Sequence, residues 1–284
     1  MGKNYLVVGR AKTGTTAISK ALQNSLNNSA YHFEPQSLDF FNRGSHLSSD
    51  KPQVIKVIYE NLGQEYNFCE KIVRNETNTC LEKTIAIVRD PRDEFLSRLL
   101  YSVYPHMMSG LYRRSDFDSF VSLIKRKESS PKSVSFFDLV DELNGITGKN
   151  LLFSFKKSYL DYVSFLNRNK NHFFRYKYED FIRNDAVALS RYLGFSLSAN
   201  RSVGKYKRVK RSSSFDNWKS YCLDTDLVIL KKELGDIIES LGYTDWILCR
   251  NPKMLASEGS VYVRKLIREA GIKSSIIRMS KTRK

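Results

Sequence analysis

The sequence predicts an α/β fold on a central parallel sheet, and three observations lead to it. Val54-Ile55-Lys56-Val57-Ile58 and Thr84-Ile85-Ala86-Ile87-Val88 are unbroken, mostly β-branched runs of strand length, the mark of strands covered on both faces. Polar or charged residues and then a helix-like pattern follow each run, as in a succession of βα units. The amino end, Tyr5 to Val8, passes straight into a glycine-containing loop and the helical segment Ala17-Ile18-Ser19-Lys20-Ala21-Leu22. At 284 residues the chain can bury a substantial core.

The loop Gly9-Arg10-Ala11-Lys12-Thr13-Gly14-Thr15-Thr16 reads as a phosphate cradle. Its glycines let the backbone curl so that N–H groups point inward, and a helix beginning near Thr15 adds the positive end of its dipole. Lys12 supplies a mobile charge beside it. A nucleotide triphosphatase loop carries its lysine directly after the second glycine, where this chain has Thr15. Tyr31-His32-Phe33 reads as the second strand, the run from Val54 as the third, buried except at Lys56, and the run from Thr84 as the fourth. From about Asp116 to Asn169 the period is helical, with Phe117, Phe120, Val121 and Ile124 on one face, while Asn150 to Phe155 reads as a short strand. Phe173 to Tyr176 reads as a strand and Tyr178-Glu179-Asp180 as the start of a helix reaching about Tyr192, stopped by Gly194. Asp224 to Leu241 is an amphipathic helix closed by Gly242, and another helix is expected near Tyr262 to Glu269. Ligands of open parallel sheets sit at the carboxyl ends of the strands. That rule selects Lys12, Glu34, the end of the third strand and Arg89.

Composition narrows the class. With 41% hydrophobic and 27% charged residues and only strand-sized apolar runs, a soluble globular protein without a membrane span is expected. The loop begins so near Met1 that no apolar targeting stretch fits before it, so a cytoplasmic protein of bacterial or viral type is expected. Cys69, Cys80, Cys222 and Cys249 lack metal-ligand spacing and read as reduced and structural. A net charge of +17 and a pI near 9.6 imply an anionic ligand. The charge is densest from Arg201 to Arg211, read as a basic loop able to close over a ligand, and from Arg264 to Lys284. One domain over residues 1–250 with a basic extension over 251–284 is the expected organisation.

A second motif, Arg89-Asp90-Pro91-Arg92-Asp93-Glu94-Phe95-Leu96-Ser97, puts a guanidinium at a strand end and a hydroxyl eight residues later on a helix started by Pro91. Guanidinium plus hydroxyl suits a phosphate. Together with the first loop, this resembles the sulfotransferase superfamily, which carries Lys-[Ser/Thr]-Gly-Thr-[Thr/Ser] after its first strand and Arg-Asp-Pro-Arg-Asp leading to a serine. Tyr176-Lys177-Tyr178-Glu179-Asp180-Phe181 is similar to that family's Tyr-Glu-Asp-Leu segment, and Gly194-Phe195 to its usual helix end. Arg211-Ser212-Ser213-Ser214-Phe215-Asp216-Asn217-Trp218 resembles its late loop, with an arginine seven residues before a tryptophan.

The resemblance runs from residue 5 to about 243. It implies a P-loop-like three-layer α/β/α fold with helical insertions, and transfer of a sulfuryl group from 3′-phosphoadenosine 5′-phosphosulfate (PAPS) to an acceptor hydroxyl, without a metal, releasing adenosine 3′,5′-bisphosphate (PAP). Arg10, Lys12, Thr13, Gly14, Thr15 and Thr16 would hold the 5′-phosphosulfate, Tyr178 would border the adenine, and Arg89, Ser97 and Arg211 would hold the 3′-phosphate. Lys12 would also neutralise charge on the bridging oxygen.

Departures from the pattern point to a branch. Cytosolic members end the third strand Lys-x-His with histidine as base, whereas this chain has Lys56-Val57-Ile58. Carbohydrate and tyrosyl branches use a glutamate soon after the second strand, and Glu34 stands in a similar place. Glu34 is therefore the expected base, with His32 as the alternative on the same face by strand alternation, and Lys56 would assist at the sulfonate. The tryptophan of cytosolic members is lacking near Ala17. The expected acceptor is a glycan or glycolipid, with contact to an anionic membrane through the basic tail and no nucleic-acid partner. Two other readings stay open on the residues alone: a P-loop nucleotide or small-molecule kinase, which Thr15 disfavours, and a basic nucleic-acid-binding protein.

Overall fold

Among the described residues five parallel strands form one sheet in the order β2-β3-β1-β4-β5. They are β1 (Asn4–Gly9), β2 (Ala30–Phe33), β3 (Gln53–Ile58), β4 (Leu81–Val88) and β5 (Phe174–Lys177). The computed structural model describes residues 3–43, 50–61, 68–198, 202–204, 206 and 214–281. Its contacts group into two units, Met1–Arg89 with Ser158–Lys210, and Asp90–Lys157 with Arg211–Lys284.

The first unit holds the sheet. Helix α1 (Thr15–Asn24) returns from β1 and buries Ile18, Ala21 and Leu22 against Tyr5, Val7, Val54, Ile85 and Ile87. Strand alternation sends the intervening Leu6, Val8, Ile55, Val57, Ala86 and Val88 the other way. They are buried too, so both faces of the sheet are covered. Short helices α2 (Leu38–Arg43) and α3 (Phe68–Val73) follow β2 and β3. After β5 come α9 (Tyr178–Arg183) and α10 (Val187–Leu193), whose Phe181, Leu189 and Leu193 join the same core as α1. A single helix to Tyr192 was expected here. Asn184 instead adopts a left-handed backbone at φ 61° and ends α9, because asparagine tolerates a conformation that stops the helical ladder.

The second unit is helical among its described residues: α4 (Pro91–Tyr101), α5 (Val103–Ser109), α6 (Asp118–Ser129), α7 (Phe136–Thr147), α11 (Trp218–Tyr221), α12 (Asp224–Ser240) and α13 (Ser260–Lys281). α8 (Leu151–Arg168) begins in this unit and continues into the first. The strand expected at Asn150 to Phe155 is the opening of α8. Asn144 and Asn150 side chains accept the N–H groups of Leu151 and Phe153, and the apolar run is a helix's first turn. Asp226, buried, accepts N–H groups of Phe136, Phe137 and Leu223 and so ties the starts of α7 and α12 together. α13 packs on α5 and α6 and extends well beyond the expected Tyr262–Glu269. Among the described residues no helix is long and apolar enough to cross a membrane.

Candidate active site

Close approach of backbone and side chains shapes the loop after β1. A Cβ on Gly9 would lie 2.7 Å from Thr15 Cγ2 and 3.1 Å from Ile87 Cβ, so only glycine lets the strand end pass that close. Gly14 sits at φ 86° as the N-cap of α1, and a Cβ there would fall 2.6 Å from Tyr178 Cε2 and nearer still to Cδ2. Thr13 turns inward, its hydroxyl donating to the Arg10 carbonyl at 2.7 Å. α1 begins with no side-chain cap and no acidic residue in its first turn. Its leading N–H groups and dipole are thus left to favour an anion. That local chemistry fits the phosphosulfate expected from the sequence.

Two residues fasten this loop from neighbouring strand ends. Arg89, just past β4, donates from Nη1 to the Lys12 carbonyl at 2.9 Å and lays its guanidinium 4.6 Å from the centre of the Tyr178 ring. Glu60, just past β3, accepts the Ala11 N–H at 3.1 Å and stands 3.6 Å from Arg10 Nη1. Lys12 is thereby held at φ 71°. Six described non-glycine residues have positive φ: Lys12, Asn28, Glu34, Asn75, Asn184 and Asp216. Four are Asn or Asp, which tolerate it, so the strained positions are Lys12 and Glu34.

A second cluster forms where β2 and β3 end. Phe33 pairs with Lys56 in register, and the Glu34 N–H continues the ladder to the Lys56 carbonyl at 2.8 Å. The left-handed turn at Glu34, φ 54°, brings its carboxylate back onto the Lys56 ammonium as an ion pair. Lys56 is 1% exposed, not an exception in a buried strand as the sequence suggested. Burial pulls its ammonium below the ordinary lysine range, and Glu34 acts in the opposite direction. The ammonium also lies 4.5 Å from the Phe33 ring centre, and Tyr206 stacks on that ring at 4.1 Å.

The sulfotransferase domain family matches residues 3–233 of the 284. This chain is a sulfotransferase-family member. A comparison with curated proteins found no match. Among solved structures, a mouse sulfotransferase complexed with PAP is similar, at 12% identity and a TM-score of 0.48, over 86% of this chain and 89% of that one.

Within this sulfotransferase, Arg10, Lys12, Thr13, Gly14, Thr15, Thr16, His32, Glu34, Lys56, Arg89 and Tyr178 all belong to the first unit. Arg10, also expected from the sequence to meet the donor, is engaged elsewhere. It is fully buried, donates to the Ser158 carbonyl and hydroxyl at 2.6 and 2.7 Å, and lies over the Tyr159 ring, so it braces the loop against α8. His32 does not share a face with Glu34, because the alternation ends at the turn. Its Nε2 meets Gln53 Oε1 at 2.7 Å and its ring packs on Phe40. Ser97 lies buried on α4 in the second unit, and Arg211 falls outside the described residues.

The rest of the Arg-Asp-Pro-Arg-Asp motif of the sulfotransferase caps a helix with an internal ion pair, the structural alternative that such a charge cluster also offers on the sequence alone. Asp90 caps α4 by accepting the Arg92 N–H and also receives the Arg92 guanidinium at 2.6 Å. Arg92 sits between two indoles, 3.8 Å from the Trp218 ring centre and 4.5 Å from that of Trp246. Asp93 accepts the main-chain N–H of Trp218 at 3.0 Å. These contacts fix the chain where the late loop re-enters a helix.

Glu60 was also missed, although the strand-end rule that picked Glu34 and Arg89 reaches it two residues past β3. Glu60→Ala is expected to weaken PAP binding about tenfold, the worth of a hydrogen bond to a charged group, whereas Glu60→Gln, which keeps an acceptor for Ala11, stays close to the parent. Calorimetric titration measures both. Parent-like binding by Glu60→Ala would remove Glu60 from the loop's supports.

Proposed function

We propose that this sulfotransferase acts on a hydroxyl of a glycan or glycolipid, with Glu34 as the base, as in the carbohydrate-type branch of the family. The observation that carries the reading is the Glu34–Lys56 pair at the strand ends, with Glu34 held in a left-handed turn and Ile58 where a histidine base would stand. The same fold offers an anion cradle at Thr13 to Thr16, and Lys12 at its rim. PAPS, when bound, supplies an activated sulfonate with PAP as leaving group.

The chain's own residues then divide the work. Backbone N–H groups at Thr15 and Thr16 hold the 5′ anion at the helix end, and the Lys12 ammonium offsets negative charge gathering beside it. Arg89, Ser97, Arg211 and Tyr178 are the proposed nucleotide ligands, on the family pattern. Glu34 takes the acceptor hydroxyl's proton onto a carboxylate oxygen. Lys56 orients that carboxylate and lends its charge to the sulfonate oxygens. Phe33 and Tyr206 provide stacked rings beside the pair, a surface suited to the apolar face of a sugar.

Radiolabelled PAPS offered with a panel of neutral oligosaccharides, glycolipids and simple phenols tests the acceptor class. Transfer to the saccharide-bearing acceptors is expected. Transfer confined to phenols would contradict the reading.

A further inference from the structure

Helix α13 has two faces of different character. Tyr262, Val263, Leu266, Ile267 and Ala270 are buried, on a helix whose neighbours are α5 and α6. On the other side Val261, Ile272 and Ile276 are 55%, 51% and 56% exposed. Arg264, Lys265, Arg268 and Lys273 are exposed with them. At 100° per residue, Val261, Lys265, Arg268, Ile272 and Ile276 fall within an arc of about 80°, so apolar and cationic side chains share one outward strip. From Ser260 to Lys281 the sequence holds six Arg or Lys and a single carboxylate, Glu269. That carboxylate lies 3.9 Å from Lys265.

We propose that this outward face of α13 is a membrane-surface anchor, which lies along an anionic bilayer with Val261, Ile272 and Ile276 below the headgroups and the four cations among the phosphates. The inference stands apart from the acceptor reading. Three physical points favour a bilayer as the occupant. Long cationic side chains can extend their charges up to phosphate level while the shorter apolar side chains between them are buried. A second copy of the chain meeting this face through a two-fold axis would bring the cations against one another with almost no carboxylates to match them. Nucleic acid would satisfy the cations and leave the isoleucines in water. Because the inner face already holds α13 in its unit, binding requires no unfolding.

Flotation of the full chain with vesicles tests this. Binding to phosphatidylcholine vesicles containing phosphatidylserine is expected, with little binding to phosphatidylcholine alone and weakening as salt rises. The variant Arg264→Ser/Lys265→Ser/Arg268→Ser is expected to lower partitioning by about 100-fold. Ile272→Ser/Ile276→Ser, which leaves the charge unchanged, is expected to lower it by roughly tenfold. Lys170→Ser/Arg191→Ser removes exposed cations of the first unit and is expected to change little. All three variants alter exposed side chains, and their melting curves report folding. Four results would each overturn the proposal: equal loss in the first-unit control, no loss in the isoleucine variant, displacement from vesicles by duplex DNA at matched charge, or vesicle-free self-association that the isoleucine variant abolishes.

Discussion

Gly14→Ala is expected to destabilise the first unit by about 2–4 kcal/mol and to weaken PAP binding by about 100-fold. Two independent causes add. The backbone at Gly14 has φ 86°, where an L side chain costs about 1–2 kcal/mol, and the new Cβ would strike the Tyr178 ring. The ring cannot simply retreat, because the Arg89 guanidinium lies against it and also holds the Lys12 carbonyl. Strain at Gly14 therefore reaches Lys12 and the first N–H groups of α1. Urea denaturation gives the stability and calorimetry the affinity. Combining Gly14→Ala with Tyr178→Ala separates the two causes. The clash disappears in the double variant and the backbone cost stays, so the two stability losses should fall short of additivity. Full additivity would mean that the ring does not enforce the glycine.

Glu34→Gln is expected to lower kcat by at least about 100-fold, the scale of a lost general base, while PAP affinity stays within a few-fold of the parent. It should also cost about 2 kcal/mol of stability, since a buried ammonium loses its carboxylate. That loss has a defined pH dependence. Burial already lowers the Lys56 pKa from 10.5, and Glu34 raises it, so the substitution lowers it further. Between the folded and unfolded pKa values the unfolded chain binds more protons, and stability rises with pH. The variant's deficit is accordingly full near neutral pH, where both members of the parent's pair are charged, and shrinks as the pH rises toward 10.5. A deficit that grows with pH would show that Lys56 does not depend on Glu34. Retained turnover would move the base elsewhere.

The legible parts of this protein were those whose chemistry is written in contiguous residues. Gly9 to Thr16 announces a curled loop between strand and helix because both glycines and the helix start fall within one short stretch. The strands at Val54 and Thr84 were legible because a parallel strand covered on both faces needs an unbroken apolar run. What depends on distant partners was not. Arg10 belongs to the loop in sequence, yet its direction is set by Ser158 on α8, which no local pattern encodes. Lys56 interrupts an apolar strand, and its burial follows from a carboxylate on the neighbouring strand's exit, reached only through the left-handed turn at Glu34. That same turn undid the alternation placing His32 beside Glu34. Asn150 to Phe155 misled because a short apolar run reads alike as a strand or as the first turn of a helix, and the side-chain caps of α8 decide it.

The central claim is that the loop and its neighbours hold an adenosine bisphosphate rather than a nucleoside triphosphate with magnesium. Thermal denaturation of the full chain with PAP, in parallel with ATP and magnesium, addresses it most directly. A strong rise in Tm with PAP that is lost in Gly14→Ala, and little change with ATP and magnesium, is the predicted result. Strong stabilisation by ATP and magnesium with none by PAP would contradict it.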